Sequence, residues 1–426
     1  MAASLFRYRN GQLFCEEVPL HHIATAVGTP AYVYSLGGVQ ANFRQIRSAF
    51  APPESLVCYA LKANANCDLV RRLAEEGSGA DIVSGGELAI ALYAGVPPER
   101  IVFAGVGKTE QEIRFALQAG VLALNVESIQ ELELIEQVAG SLGTRAPVSL
   151  RLNPNVDIHG HPYLSTGRRF DKFGIGLDQI DSAVAQVKRS PALEFVGFHC
   201  HLGSQIGSPD PYLTVLDVLL DLIRKHSPDV PLRHLDIGGG IGVNYDVSLE
   251  AEGECLAFDP SDLASEVLAR TAGLAEKVVV EPGRSVVANA GALICRVLYT
   301  KRTGGRRFVI VDAAMNDFLR PALYGARHRV LPLEAREGAT EVCDVVGPVC
   351  ESGDFLARDV ELPPLDRGDY LAIMGVGAYG YVLASNYNAR PRPPEVIVEG
   401  SEYRISRPRE EQVWEVSLPP ASSRGR

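Results

Sequence analysis

The sequence has 426 residues, of which 46% are hydrophobic and 22% are charged. This balance is typical of a soluble globular protein and excludes a disordered or fibrous class. The 41 basic and 52 acidic residues give a net charge of −11, which argues against a nucleic-acid partner because such binding depends on neutralising phosphates.

The length exceeds that of one ordinary domain and would accommodate a barrel of about 250 residues with a second domain. The eight cysteines are scattered and include no Cys-x-x-Cys pair, which indicates reduced thiols in a cytoplasmic protein. No apolar run has the length expected of a secretion signal or a membrane span. We therefore expect a cytoplasmic protein with no membrane partner.

The N-terminal segment predicts a β-hairpin. Apolar-rich residues 5–8 and 13–18 flank Asn10-Gly11, and this dipeptide favours the type I′ turn because both central residues of that turn need a positive φ. A second short strand is predicted over residues 31–34, before a polar helix-like stretch.

From residue 56 onward, apolar strand-like segments alternate with segments of helical spacing, such as 87–93, 110–119, 129–139 and 212–225. Eight such repeats predict buried parallel strands in a (β/α)8 TIM-like barrel, with a doubly wound open sheet as the alternative. The predicted strands are 56–63, 80–84, 101–106, 123–126, 148–153, 195–202, 234–237 and 278–281.

After residue 281 the pattern changes to short strands separated by turns, at 293–300, 307–312, 341–346, 370–374 and 395–398. This pattern predicts an all-β domain, a β-sandwich or β-barrel that includes the N-terminal hairpin. The predicted domains are therefore a barrel over 30–281 and a β domain formed by 1–29 with 282–426.

Lys62 is the most informative residue of the predicted barrel. Active sites of such barrels lie where strands end at the C-terminal face, and burying an ammonium is costly unless it is paired, neutralised or used covalently. The alternative is a lysine that simply faces solvent. Other polar residues fall at the same predicted rim: Asp81, Ser84, Arg151, His199, His201, Ser204, Asp236 and Glu281.

Two further rim features point to a phosphorylated ring as ligand. The run Gly238, Gly239 and Gly240 could bring backbone N–H groups close to a phosphate, with Gly203 and Ser204 adding donors, although a tight turn would also need glycines. Glu281 could bind a protonated ring nitrogen, or it could pair with Arg284. A lysine, a phosphate site and a carboxylate are together what pyridoxal phosphate requires.

His199 and His201 lie on one face of the sixth predicted strand, so a metal-dependent hydrolase is an alternative. Apart from His159 or His161 in a loop, no other histidine falls where a further ligand would be needed. We therefore predict no metal centre and expect one imidazole to stack on a cofactor ring. In the β domain, segments 320–324, 350–354 and 377–380 combine charged, thiol and aromatic groups, but each could be an ordinary turn.

Together these motifs resemble the diaminopimelate decarboxylases, of the alanine-racemase-like, fold type III family of pyridoxal phosphate enzymes. The resemblance covers nearly the whole chain and keeps the order of the motifs. Ala313 and Val376 depart from residues usual in the family, and neither has an implied role. The segments that carry the resemblance are 59–64, 79–88, 161–167, 172–175, 197–205, 236–240, 281–284, 320–324, 350–354 and 377–380.

The resemblance implies a role for each matching residue. Lys62 would bind the cofactor covalently, His201 would stack on its ring and Glu281 would hold the ring nitrogen. Cys350 would be the proton donor, supplied by the second subunit of a homodimer. The remaining cofactor contacts would be Asp81, Ser204, Gly238, Gly239, Gly240, Gly283, Arg284 and Tyr379. The substrate contacts would be Arg284, Arg320, Tyr324 and Tyr379 on the non-reacting carboxylate end, and Glu351 on the distal amine.

The implied reaction is decarboxylation of meso-2,6-diaminopimelate to L-lysine and carbon dioxide, the last step of lysine biosynthesis. One alternative is a related decarboxylase of another basic or carrier-bound amino acid. Another is a regulatory relative that binds pyridoxal phosphate without catalysis, against which the presence of both Lys62 and Cys350 argues.

Overall fold

The computed structural model describes residues 5–51, 53–154, 172–228, 231–245, 255–336 and 338–411. The chain divides into two compact units. The first, the barrel unit, comprises residues 40–244 and 254–286, and the second, the β unit, comprises 1–39, 245–253 and 287–426. Among the described residues, no helix is both long enough and apolar enough to cross a membrane.

The barrel unit contains a closed ring of eight parallel strands, as predicted. Each strand pairs with the next, and the eighth pairs with the first, Val278 lying opposite Ser55. This closure excludes the open doubly wound sheet. In chain order the strands are Ser55–Ala60, Gly79–Ile82, Ile101–Phe103, Ala123–Val126, Ala146–Asn153, Leu193–His199, His234–Asp236 and Val278–Val280.

Several helices of the barrel unit begin at residues whose side chains cap them. Ser84, Thr109 and Ser128 each accept a hydrogen bond from the backbone N–H three residues later, which satisfies a donor that the first helical turn leaves unpaired. Gly120 ends its helix in the left-handed conformation that glycine adopts without strain. The long helices are Cys67–Glu75, Gly85–Tyr93, Glu110–Ala119, Ile129–Leu142, Ile180–Arg189, Asp210–His226 and Pro260–Thr271.

The first barrel strand is shorter than predicted, and this changes the setting of Lys62. The strand ends at Ala60, and Lys62 lies in the single 3-10 turn Leu61–Ala63. The backbone N–H of Ala60 donates to the carbonyl of Pro282, and the Tyr59 hydroxyl donates to the carbonyl of Asn64 at 2.9 Å. These bonds hold the chain in a turn, so Lys62 follows the strand rather than belonging to it.

The β unit begins with the predicted hairpin. Strand Phe6–Arg9 pairs antiparallel with Gln12–Cys15, and Asn10 and Gly11 both have positive φ, 50° and 78°. These angles confirm the type I′ turn. A two-residue strand, Val18–Pro19, completes a small three-stranded sheet, and helix Leu20–Val27 packs its apolar residues into the adjoining core.

The larger sheet of the β unit has the central strand Gly291–Thr303, which pairs with Ala31–Ser35 and Tyr370–Met374. The predicted all-β character and its five strands are confirmed. Three strands were missed by the sequence analysis, Val330–Pro332, Phe355–Leu362 and Glu402–Arg407. The other strands are Arg306–Val311, Glu341–Val346 and Glu395–Glu399, and helix Leu36–Ala49 leads from this sheet towards the barrel strands in sequence.

Candidate active site

Lys62 is paired with the carboxylate of Asp81, which lies at the end of the second barrel strand. Lys62 Nζ is 2.8 Å from Asp81 Oδ2, and the Asp81 side chain is fully buried while 32% of the Lys62 side chain is exposed. Burial and the negative charge of Glu281 raise the pKa of Asp81 to about 7, against the opposing effect of Lys62. The structure therefore places the Lys62 amine at the rim, where the lysine side chain is partly accessible and its Asp81 partner is buried.

Glu281 directly follows the eighth strand and is 2% exposed. Its Oε2 lies 3.4 Å from His199 Nε2 and 3.9 Å from His201 Nδ1. Burial alone would raise the pKa of Glu281, but His199 and the Lys62 ammonium outweigh burial and hold that pKa below its usual value. Glu281 is therefore an ionised carboxylate inside the barrel.

Asp236, at the end of the seventh strand, is the protonated partner of this carboxylate. Burial and the charge of Glu281 raise the pKa of Asp236 well above its usual value. Its Oδ1 accepts a hydrogen bond from the Gly238 N–H at 2.9 Å. Two buried carboxyl groups this close together share one negative charge, and that charge resides on Glu281.

His201 presents a neutral imidazole. The Gly239 N–H donates to its Nδ1 at 3.1 Å, so this nitrogen carries no proton. Burial and the positive charges of Lys62 and Arg151 lower the pKa of His201 well below its usual value. A neutral ring is suited to lie against a flat aromatic ligand.

The glycine run is required by the packing of the rim. A Cβ on Gly239 would lie 1.9 Å from the carbonyl oxygen of Glu281, and one on Gly240 would lie 2.3 Å from that of Gly203. Gly238 and Gly240 also have positive φ, 70° and 108°. The turn that needs glycine lies where the sequence predicts a phosphate, but the N–H groups of the buried Gly238 and Gly239 already donate within the rim, and only Gly240 is partly exposed.

Arg284 and Gly283 have different surroundings although they are neighbours. Arg284 donates to Ser204 Oγ from Nη2 at 2.9 Å and from Nε at 3.2 Å, which brings a cation to the predicted phosphate-binding serine. Gly283 packs instead against the first strand, where a Cβ would lie 3.1 Å from that of Ala60. Its observed role is close packing.

A buried ion network beside this rim was largely missed by the sequence analysis. Lys108 Nζ lies 2.7 Å from Glu131, and both side chains are almost fully buried. Arg151, which the sequence analysis placed at the rim, donates to Glu127 Oε1 at 2.7 Å, and Glu127 also accepts from the Gly174 N–H at 3.2 Å. Glu127 could have been predicted as a rim residue, because it directly follows the fourth strand.

Arg320 in the β unit is 5% exposed and lies in the short helix Arg320–Tyr324. Its Nη1 donates to the Tyr245 hydroxyl at 3.0 Å and contacts His328 Nε2 at 3.1 Å. Tyr324, at the other end of this helix, is half-buried. Sequence reasoning identified Arg320 and Tyr324 but neither Tyr245 nor His328.

Cys350 and Glu351 are exposed in a loop that Asp354 organises. The buried Asp354 carboxylate accepts from the N–H groups of Val349 at 2.6 Å and Met315 at 2.7 Å. The Cys350 N–H donates to Asn388 Oδ1 at 3.1 Å. The Tyr387 hydroxyl lies 3.4 Å from Glu351 Oε2. All eight cysteines, each in the described part of the chain, are free thiols.

Tyr379 adopts φ 55°, which is uncommon for a residue with a large side chain. The glycines around it are closely packed: a Cβ on Gly377 would lie 1.9 Å from the carbonyl of Val287, and one on Gly380 would lie 2.4 Å from that of Val376. The surrounding backbone therefore holds Tyr379 in a fixed and strained position, as is common at functional sites.

The barrel residues fit pyridoxal phosphate. Glu281 is buried and ionised, so it can accept a hydrogen bond from a donor such as the protonated ring nitrogen of the cofactor. Lys62 supplies the amine, and Ser204 with Arg284 supplies donors for a phosphate. The residues at the rim thus match three chemically different parts of one ligand.

The residues that could bind a metal in the structure differ from those considered in the sequence analysis. Ligand atoms of His199, Asp236 and Glu281 lie within 4.8 Å of one another, whereas the sequence analysis paired His199 with His201. His159 and His161, as well as segment 161–167, lie outside the described residues. Glu281 is the member that the cofactor also requires, so the same carboxylate would serve either ligand.

Comparison with known proteins gives the class of enzyme. The model of the pyridoxal-dependent decarboxylase family, pyridoxal-binding domain, matches residues 36–288. The chain therefore belongs to this family, and pyridoxal phosphate is its cofactor.

Within that family the chain belongs to the diaminopimelate decarboxylases. It is 45% identical to the diaminopimelate decarboxylase of Aquifex aeolicus strain VF5 over 95% of this chain and 94% of the relative. It is 47% identical to that of Pseudomonas aeruginosa over 95% of this chain and 96% of the relative. The crystal structure of diaminopimelate decarboxylase from Helicobacter pylori complexed with L-lysine superposes with a TM-score of 0.86 and 44% identity, covering 92% of this chain and 97% of that one.

Proposed function

We infer that the chain decarboxylates meso-2,6-diaminopimelate at its D-configured centre and releases L-lysine and carbon dioxide, as the last step of lysine biosynthesis. The observation that carries this proposal is the ionised, buried Glu281 at the rim that also holds the Lys62–Asp81 pair. The diaminopimelate decarboxylases that match along almost the whole chain support the choice of substrate.

The barrel residues would hold the cofactor. Lys62 would bind it covalently, Glu281 would keep its ring nitrogen protonated, and His201 would stack on the ring. Ser204, with Arg284 and the glycines 238–240 beside it, would bind the phosphate. When bound, pyridoxal phosphate supplies an acceptor for the electron pair that remains when the carboxylate leaves.

Glu281 contributes more than a contact. Because a negative carboxylate favours a protonated ring nitrogen, it keeps the electron-accepting ring cationic. Because Asp236 holds a proton, the negative charge of this carboxyl pair stays on Glu281. The neutral His201 adds no positive charge that would oppose it.

The residues of the β unit would act on the substrate. Arg284, Arg320, Tyr324 and Tyr379 would bind the non-reacting carboxylate, and Glu351 would bind the distal amine. Cys350 would protonate the α-carbon after carbon dioxide leaves. The exposure of Cys350 and Glu351 supports a role in which they act on a partner molecule of the same kind, and we propose a homodimer with shared active sites.

Three further expectations belong to the proposal. The catalytic domain would be the barrel unit, 40–244 and 254–286, rather than the predicted 30–281, because strand Ala31–Ser35 pairs with Gly291–Thr303 of the β unit. The enzyme would act in the cytoplasm, in keeping with its eight free thiols. Its partners would be the substrate and a second copy of the chain, and no nucleic acid.

The test is carbon dioxide release from meso-diaminopimelate, measured beside ornithine, arginine and lysine. Release from meso-diaminopimelate alone is expected, and faster release from another amino acid would contradict the proposed substrate. Lys62→Ala should abolish the visible absorbance of the bound cofactor. Cys350→Ala should retain that absorbance and lose turnover, and a variant with wild-type turnover would contradict the proton-donor role.

Removal of Glu351 tests substrate binding separately. Glu351→Gln should raise the KM for diaminopimelate with little change in cofactor affinity, because the amide keeps the size of the side chain and removes its charge. Equal losses in substrate use and in cofactor binding would contradict the proposed role.

A further inference from the structure

His328 is a buried histidine of the β unit whose two ring nitrogens are both engaged. It is 5% exposed, and its Nδ1 lies 2.8 Å from the carbonyl oxygen of Met374. A carbonyl can only accept a hydrogen bond, so Nδ1 carries the proton. Nε2 then bears a lone pair, and it lies 3.1 Å from Nη1 of Arg320, which can only donate. The two contacts together select one neutral tautomer.

The ring is also fixed by its neighbours. Phe318 packs edge-on against it with ring centroids 4.8 Å apart, and Tyr245 does so at 5.0 Å. Tyr245 in turn accepts from Arg320 Nη1 at 3.0 Å, and its ring centroid lies 5.1 Å from the guanidinium carbon. One nitrogen of Arg320 is therefore held by two acceptors, each of which is itself held by packing.

This arrangement matters because a guanidinium recognises a carboxylate through two parallel hydrogen bonds from a plane of defined orientation. An arginine side chain has considerable rotamer freedom. Fixing the guanidinium plane in advance reduces the conformational entropy that is lost when the carboxylate binds. A neutral histidine acceptor fixes the plane without adding a second charge that would compete with the substrate carboxylate for Arg320.

We propose that His328 is a positioning residue that orients the Arg320 guanidinium for the non-reacting carboxylate of the substrate. This inference rests on the proposed function, in which Arg320 binds that carboxylate. His328 does not itself touch the substrate, and its effect is on substrate affinity rather than on the chemical step.

Two conservative variants separate the two hydrogen bonds of the ring. In His328→Gln the amide oxygen can occupy the place of Nε2 and keep an acceptor for Arg320. In His328→Asn the shorter amide can keep the donor to Met374 but cannot reach Arg320. We expect His328→Asn to raise the KM for meso-diaminopimelate about tenfold or more, with kcat within about twofold of the wild type. His328→Gln should recover most of that loss.

Inhibition by two amines distinguishes a role of His328 in positioning Arg320 from a purely structural role. L-lysine keeps the carboxylate that Arg320 would bind, whereas cadaverine lacks it. His328→Asn should weaken inhibition by L-lysine about as much as it raises KM and leave inhibition by cadaverine unchanged. Cofactor content and thermal midpoint should stay near those of the wild type.

The outcomes distinguish this inference from the proposed function. If the wild type releases no carbon dioxide from meso-diaminopimelate, the proposed function fails and the inference fails with it. If the wild type is active and His328→Asn keeps the wild-type KM, the inference alone is wrong. It is equally wrong if His328→Asn weakens L-lysine and cadaverine alike, or if His328→Gln is as impaired as His328→Asn.

Discussion

Replacing Gly239 with alanine tests how closely the rim of the barrel is built. The added Cβ would lie 1.9 Å from the carbonyl oxygen of Glu281, and Cβ atoms essentially never approach such an atom within 3.0 Å. The backbones after the seventh and eighth strands would therefore have to separate by about 1 Å. The Glu281 N–H donates to the Gly238 carbonyl at 2.9 Å, and this bond would lengthen as they separate.

The magnitude follows from this displacement. Overpacking of this kind destabilises a folded protein by about 1–3 kcal/mol, so Gly239→Ala should still fold. A shift of about 1 Å in a catalytic group can lower the rate about 100-fold, and here the shifted segment carries Glu281. We expect kcat to fall by about this factor and the cofactor affinity to fall as well.

The assay combines circular dichroism, titration with pyridoxal phosphate and carbon dioxide release. The matched control is Gly207→Ala, because no atom lies within 4 Å of the Cβ that it would add. This control should retain both cofactor affinity and turnover. Gly239→Ala with wild-type affinity and turnover would refute the reasoning, since the added methyl group would then have been accommodated without moving Glu281.

Three further changes are predicted. Because the pKa of Asp81 is raised from 3.8 to about 7, the folded protein binds a proton that the unfolded chain has lost. The free energy of unfolding of the cofactor-free protein should therefore fall as the pH rises from 3.8 to about 7. Asp81→Asn should remove that dependence. Glu131→Gln breaks the buried pair with Lys108 and should destabilise by about 3–5 kcal/mol in urea unfolding, whereas Glu110→Gln, in an exposed pair, should cost under about 0.5 kcal/mol. Asp354→Asn should cost about 1–3 kcal/mol and lower turnover while cofactor binding is kept.

Each of these predictions has a contrary result. A wild-type pH profile for Asp81→Asn would mean that another group titrates there. Equal stability changes in Glu131→Gln and Glu110→Gln would show that burial does not govern the pair. For Asp354→Asn, loss of cofactor binding together with turnover would mean that the effect extends beyond the loop of Cys350.

The barrel was predictable because its strands are buried on both faces. Continuous apolar runs such as Val278–Val280 stand out from the helical segments between them, and the helix Glu110–Ala119 was predicted with its observed bounds because Thr109 and Gly120 mark its ends. Strand Glu402–Arg407 was missed because it lies at an edge of its sheet, where none of its six side chains is buried and four are polar. Its pattern resembles that of a loop.

The structure brings the predicted strand-end residues together, whereas the residues that support them were not predicted. Lys62, Asp81 and Glu281 lie at or just after the carboxyl ends of their strands, so their meeting at one rim follows from the closure of the barrel. His328 belongs to none of the motifs, although it lies four residues after segment 320–324, and only the folded chain brings its ring to Arg320. The ends of strands were also less predictable than their centres, as the turn around Lys62 shows.

The pairing of the eighth barrel strand with the first has a consequence for assembly. Lys62 and Glu281, which we propose bind the cofactor, are separated by most of the barrel sequence and come together only when the barrel closes. An incomplete barrel therefore has no cofactor site, and the cofactor binds only the closed form. Ligands that bind only the folded state stabilise it by mass action. Pyridoxal phosphate would therefore stabilise the closed barrel. The concentration of the cofactor in the cell would then influence the fraction of the protein that is folded.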